Sequence, residues 1–198
     1  MATITPRRGA ASVFNLPNQL TASRLLLAVV LFACIAFEWW VPALGVFALA
    51  ALTDWLDGYL ARKQGLTSSL GRMFDPLVDK VLVTGTFIFL LPYGSRPDAG
   101  WLTPWMVVVV VAREFLITGL RSYLESLGVE FGADWLGKAK MVLQCGAICI
   151  ILLSLRLEMP VLALTRQGVI YLMLAATLLS GLQYVWRGYV VLRADPDK

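Results

Sequence analysis

Four aspartates carry the strongest chemical signal in this sequence: Asp54, Asp57, Asp75 and Asp79, all within residues 51–80. They sit at the ends of two long apolar runs. A lone carboxylate at the centre of a membrane helix costs roughly 2.5–3.5 kcal/mol, and four close together also repel one another, so they require cations or protons. At the helical step of about 100° per residue, Asp54, Asp57, Gly58 and Ala61 fall within about a 100° arc. Gly71, Asp75 and Asp79 are spaced four apart and fall within about 80°. Each helix thus has one stripe of carboxylates bordered by small residues. Two such stripes facing each other form an oxygen-rich cage of the kind hard divalent cations take, and Mg²⁺ typically combines carboxylates with substrate phosphate oxygens. The glycines let a ligand approach the backbone, and Arg62 offers a fork of donors to a phosphate. Solvated loop carboxylates would explain charge near a membrane, but not one-face spacing on both helices.

Other residues limit the chemistry. The chain has no histidine, which removes His-based triads, His-ligated zinc or haem, and histidine pH switches. Acid–base work falls to carboxylates, Lys, Tyr or Cys. Pro76 directly follows Asp75. Within a helix it frees the carbonyl of Arg72 and kinks the helix beside the site; alternatively it sits in the first turn of a later-starting helix. Cys34, Cys145 and Cys149 lie in apolar runs and read as small core residues.

The elements that must position these residues follow from bulk numbers. Of 198 residues, 59% are apolar and 15% charged, and the mean hydropathy is +0.73. Soluble domains run at about 45–50% apolar and about 25% charged, so this chain has too few polar groups to cover a water-facing globule. At about 20 residues per span, it accommodates roughly six membrane helices with short loops. The expected fold is an all-α integral membrane protein, a bundle of about six transmembrane helices. The spans fall at about 16–37, 41–61, 70–91, 101–120, 139–155 and 169–191. Residues 1–15 read as a polar or interfacial lead-in, 16–194 as a single catalytic domain and 195–198 as a tail. The first apolar run follows Arg7 and Arg8 and reads as a retained helix, not a cleaved signal.

Charge sets the orientation. With the N-terminus in the cytoplasm, only Arg96, Arg156 and Arg166 of the 17 Lys and Arg fall on the opposite side. This asymmetry places both termini inside. The net charge of +4 is scattered over helix ends, not gathered in a stripe, so nucleic acid is not expected as a partner.

The pattern Asp54-x-x-Asp57-Gly58-x-x-Ala61-Arg62, eight residues, Gly71-x-x-x-Asp75-x-x-x-Asp79 resembles the signature of the CDP-alcohol phosphatidyltransferases at all its defined positions. That family transfers a phosphatidyl group from a CDP-linked lipid to an alcohol and releases CMP. The resemblance implies a cytoplasm-facing di-metal site holding two divalent cations (Mg²⁺ or Mn²⁺), in a homodimer in the bacterial cytoplasmic membrane. It implies that Asp54, Asp57, Asp75 and Asp79 bind metal, and that Asp79 is also the general base for the acceptor hydroxyl. Gly58, Ala61, Arg62, Ser68 and Gly71 then contact the CDP-lipid. The segment from Leu16 to Thr21 is similar to the family's N-terminal nucleotide-contacting stretch and adds Asn18 and Thr21; Thr21 is alternatively a helix cap. Four coupled carboxylates titrate together, so no single residue has a pKa of its own.

Acceptor identity rests on other residues. Arg113, Arg121, Lys138 and Lys140 lie at or near the cytoplasmic ends of the fourth and fifth spans. A pocket of several cations suits a phosphorylated, dianionic acceptor. Lys138 and Lys140 alternatively read as ordinary positive-inside flanking, whereas Arg113 is too deep for that. Ala112-Arg113-Glu114, Leu120-Arg121 and Gly137-Lys138-Ala139-Lys140 resemble the branch of the family that uses glycerol phosphate. The expected substrates are therefore CDP-diacylglycerol and sn-glycerol 3-phosphate, within membrane lipid. Inositol phosphate, serine and phosphatidylglycerol are the alternative acceptors. A small cation transporter is a more distant reading; it would spread carboxylates through the membrane depth and show internal repeats, and the sequence does neither.

Overall fold

The computed structural model describes residues 16–64, 69–96, 100–127 and 135–194, with side chains for 22–53, 80–96, 100–127, 135–191 and 193. Within these limits the chain is all helix: α1 (Leu16–Ala36), α2 (Trp40–Gln64), α3 (Ser69–Gly94), α4 (Pro104–Ser126), α5 (Trp135–Leu157) and α6 (Pro160–Ala194). Each of the six apolar runs becomes one helix. The lead-in before residue 16 and the tail after 194 lie outside the described residues.

Several helices extend past the expected spans, because a helix does not stop where its apolar stretch stops. α6 begins at Pro160, well before the expected start at 169. Proline at the head of a helix has no amide hydrogen bond to lose. α4 likewise starts on Pro104, after an extended Thr103 with φ −104° and ψ 154°. It then runs on past Leu120, where Arg121 and Glu125 pair one turn apart at 2.8 Å. Pro76 falls well inside α3, beyond its first turn, which excludes the first-turn alternative.

The connection between α1 and α2 is tight. Glu38 takes a left-handed φ of 61°. The Trp39 amide donates to the Cys34 carbonyl at 2.8 Å and the Glu38 amide to that of Ile35 at 3.0 Å. This is the Schellman arrangement, with glutamate where glycine is usual.

α1 packs against α2 and α3; α5 packs against α6 and α2; α4 packs mainly on α6 and on α3. Leu31, Ile35, Phe47, Phe87, Leu90, Ile148, Ile151 and Ile170 fill the core. Phe32 stacks on Phe89 with ring centroids 4.7 Å apart. Gly85 makes room for Phe32, since a Cβ there would lie 2.3 Å from the ring. Trp40 meets Tyr93 edge-on at 4.8 Å, and the Tyr93 hydroxyl donates to the Ile35 carbonyl at 3.0 Å. At the same end of the bundle, the Arg166 guanidinium lies 4.3 Å over the Trp101 ring and donates to Ser154 Oγ at 3.1 Å. These contacts pin the segment before α4 onto α5 and α6.

The outer faces are apolar as well. Leu26, Leu116, Val142, Val161 and Leu164 are large and exposed. In water such a surface would aggregate, whereas against lipid it costs nothing. Among the described residues, two stretches are long and apolar enough to cross a membrane, Trp135–Leu157 and Pro160–Val191.

Candidate active site

The aspartate region depends on the register of two helices. α2 is helical through Asp54, Asp57, Gly58, Ala61 and Arg62, and α3 through Gly71, Asp75 and Asp79. The three- and four-residue spacings therefore act as helical spacings. Their side chains lie outside the described residues, as do those of Asn18 and Thr21 in α1 and all of Ser68. The donor set at these positions is entirely carboxylate, which fits hard divalent cations and not soft ones. From Trp40 at the head of α2 to Asp54 the helix rises about 21 Å at 1.5 Å per residue. Asp54 and Asp57 thus occupy the end of α2 away from the Glu38 turn.

A second polar group lies inside the bundle, between α3, α4, α5 and α6. Its centre is Glu114 on α4, only 6% exposed. Lys140 on α5 is equally buried and donates to Glu114 Oε1. Gln144, one turn further along α5, donates to the same oxygen at 3.4 Å. Arg113 Nη1 lies 3.4 Å from it as well. The other arm of the Arg113 guanidinium donates to Ser180 Oγ on α6. The stem of Arg113 passes over Gly181, where a Cβ would stand 3.3 Å from the arginine Cγ.

The group is tied to the aspartate helix. Lys80, the residue after Asp79, donates through Nζ to Thr118 Oγ1, joining α3 to α4. Thr118 Oγ1 in turn donates to the Glu114 carbonyl at 2.6 Å.

The four candidate acceptor cations thus separate into two pairs. Arg113 and Lys140 turn inward and share Glu114. Arg121 stays on the surface, its Nε donating to Glu125 at 2.8 Å, and Lys138 is exposed. The structure does not bring the outer pair to the inner one. It adds residues that sequence reasoning did not assign: Glu114, Gln144, Thr118, Ser180 and Lys80. Glu114 had one visible signal, a second charge deep in an apolar span beside Arg113.

One donor in the group is left over. The Nε of Arg113 is buried and has no hydrogen-bond acceptor among the described residues. Buried donors are ordinarily satisfied, so a guanidinium with an orphaned Nε is suited to receive an anion.

A family model, CDP-alcohol phosphatidyltransferase, matches residues 14–183, spanning the aspartates and the Glu114 group alike. The chain belongs to the CDP-alcohol phosphatidyltransferase family. It is therefore a membrane-embedded transferase of phospholipid biosynthesis, in a family that uses divalent cations. Among curated relatives it is similar to a CDP-diacylglycerol–glycerol-3-phosphate 3-phosphatidyltransferase of Bacillus subtilis (strain 168), 36% identical over 71% of this chain and 78% of that one. A protein of the same name from Rickettsia felis is also 36% identical, over 86% of this chain and 93% of its own. A cardiolipin synthase (CMP-forming) of Oryza sativa subsp. japonica is 30% identical over 92% of this chain and 60% of its own.

Proposed function

We propose that this family member transfers a phosphatidyl group from CDP-diacylglycerol to sn-glycerol 3-phosphate, releasing CMP and forming phosphatidylglycerophosphate. The observation that carries the acceptor is the inward pair: buried Lys140 and half-buried Arg113 meet on Glu114 beside α3, and the Arg113 Nε is left without an acceptor among the described residues. A phosphorylated alcohol supplies the missing anion. The names of the Bacillus and Rickettsia relatives support the same acceptor.

In this reading Asp54, Asp57, Asp75 and Asp79 hold two divalent cations, Mg²⁺ or Mn²⁺. When bound, such ions neutralise the diphosphate and the charge developing on departing CMP. Asn18, Thr21, Gly58, Ala61, Arg62, Ser68 and Gly71 seat the CDP-lipid. Asp79 takes the proton from the attacking hydroxyl, and in a chain without histidine a carboxylate is the natural base. Lys80 follows Asp79 directly and reaches Thr118, which supports placing the base next to the acceptor's phosphate. Lys138, on the surface, contributes a positive field that draws the anion in, whereas the charge of Arg121 is offset by Glu125.

The single domain, residues 16–194, crosses the membrane six times. Its aspartate end and both termini face the cytoplasm, and it works as a homodimer. The similarity to a cardiolipin synthase favours a second reading in which phosphatidylglycerol, bearing one phosphodiester charge, is the acceptor.

The test uses purified protein in detergent with Mg²⁺ and CDP-diacylglycerol, offered glycerol 3-phosphate, phosphatidylglycerol, serine and inositol phosphate separately. CMP release with glycerol 3-phosphate alone is the expected result. Release only with phosphatidylglycerol selects the second reading, and release only with serine removes the acceptor assignment.

A further inference from the structure

We infer that Glu114 is a positioning residue, whose buried carboxylate holds the Lys140 ammonium and the Arg113 guanidinium together as one anchor for the acceptor's phosphate. The inference rests on the acceptor reading above and deepens it.

The geometry argues for this. α4 packs mainly on α6 and α3, and α5 on α6 and α2. Glu114, Lys140 and Gln144 therefore reach across from α4 to α5 by their side chains. Lys140 and Gln144 are four apart on one face of α5, and both donate to the same Glu114 oxygen. Arg113 approaches that oxygen from α4 at 3.4 Å while its other arm is fixed on Ser180 of α6. One carboxylate thus determines where charged groups from two helices come to rest, and Ser180 adds a third helix.

The charges argue for it too. Two cations converge on a single carboxylate, so the trio carries an excess positive charge in a buried setting. An ion pair kept for stability alone is a poor device, because well-packed apolar residues of similar volume commonly serve as well or better. A trio with surplus positive charge and an orphaned guanidinium Nε suits an anion that arrives and leaves. Without Glu114, ammonium and guanidinium repel each other and separate, and neither keeps its place for the phosphate.

The test is steady-state kinetics in detergent with Mg²⁺, comparing wild type, Glu114→Gln, Glu114→Asp, Lys140→Met and the double variant Glu114→Gln/Lys140→Met. Glu114→Gln is expected to raise KM for glycerol 3-phosphate on the order of 10- to 100-fold, the scale on which partners that orient metal ligands act on metal affinity or activity. KM for CDP-diacylglycerol is expected to move little and kcat less than KM. Glu114→Asp keeps the charge and is expected to rescue part of the affinity. Because Glu114 acts through Lys140 and Arg113, the double variant is expected to exceed Lys140→Met by less than the full Glu114→Gln effect. An unchanged or lowered KM for glycerol 3-phosphate in Glu114→Gln overturns the inference, as do effects that simply add. Should Glu114→Gln not fold, Glu114→Asp decides: a raised KM for glycerol 3-phosphate supports the role, and an unchanged one overturns it. Wild-type protein that releases no CMP with glycerol 3-phosphate overturns the acceptor reading itself, a result distinct from a normal wild type with an indifferent Glu114.

Discussion

Replacing Lys140 by Met separates what the buried ion pair does for the fold from what it does for the substrate. Methionine nearly matches the lysine stem in length, so no cavity opens. The change removes the ammonium from a residue only 6% exposed and leaves Glu114, equally buried, without its main partner. Breaking a buried pair from one side costs about 3–5 kcal/mol. Arg113 and Gln144 still approach the Glu114 oxygen, each at 3.4 Å, which places the loss near the lower end, about 3 kcal/mol. A second loss falls on the acceptor, since a hydrogen bond from a charged group is worth about 1.5–3 kcal/mol. At about 1.4 kcal/mol per decade, KM for glycerol 3-phosphate rises roughly 10- to 100-fold. The double variant Glu114→Leu/Lys140→Met removes that pair together but leaves the Arg113 guanidinium with Ser180 and without its carboxylate, so it is expected to regain only part of the lost thermal stability. It is not expected to regain the KM. The assay is CMP release over a range of glycerol 3-phosphate, with thermal unfolding in the same detergent. A Lys140→Met protein with lowered stability and unaltered KM would refute the anchor, and so would a double variant that recovers both.

Asp79→Asn is expected to retain CDP-diacylglycerol binding while losing most turnover, measured by lipid binding alongside CMP release; equal loss of both would make Asp79 an indispensable metal ligand instead of the base. EDTA is expected to abolish activity, and Mg²⁺ or Mn²⁺ to restore it; activity persisting in metal-free buffer would end the two-cation scheme. Gly85→Ala would bring a Cβ to 2.3 Å from the Phe32 ring, which is already held by stacking on Phe89. The overpacking costs about 1–3 kcal/mol, more than the roughly 1 kcal/mol of helix propensity gained, so the thermal midpoint is expected to fall. A raised midpoint would mean that Phe32 swings clear freely.

Sequence alone determined whatever depends on order along one helix. Six apolar runs became six helices, since apolar length and period are local properties. Asp54, Asp57 and Gly58, and Gly71, Asp75 and Asp79, keep their helical register because α2 and α3 continue through them. The family signature is a pattern of this kind, which is why it was legible. Helix ends were less so. Glu38 closes α1 in a conformation glycine usually takes, and no composition rule places it there.

Tertiary structure decided which charges meet. Lys138 and Lys140 are two residues apart, yet one is exposed and the other buried on Glu114. On a helix, two residues apart means opposite sides, about 200° around the axis. Which side faces inward depends on the rotation of α5 against α6 and α2, and that rotation is set by packing of Ala147, Ile148, Ile151 and Leu152. Arg113 and Arg121 lie only about 80° apart around α4 but about 12 Å apart along it, so depth in the bundle divides them, Arg113 meeting Glu114 and Arg121 pairing with Glu125 on the surface. Two of the three described partners of Glu114, Lys140 and Gln144, lie on another helix, 26 and 30 residues away in sequence. Spacing within a helix fixes angles about its own axis, and only the packing of several helices turns those angles into a pocket.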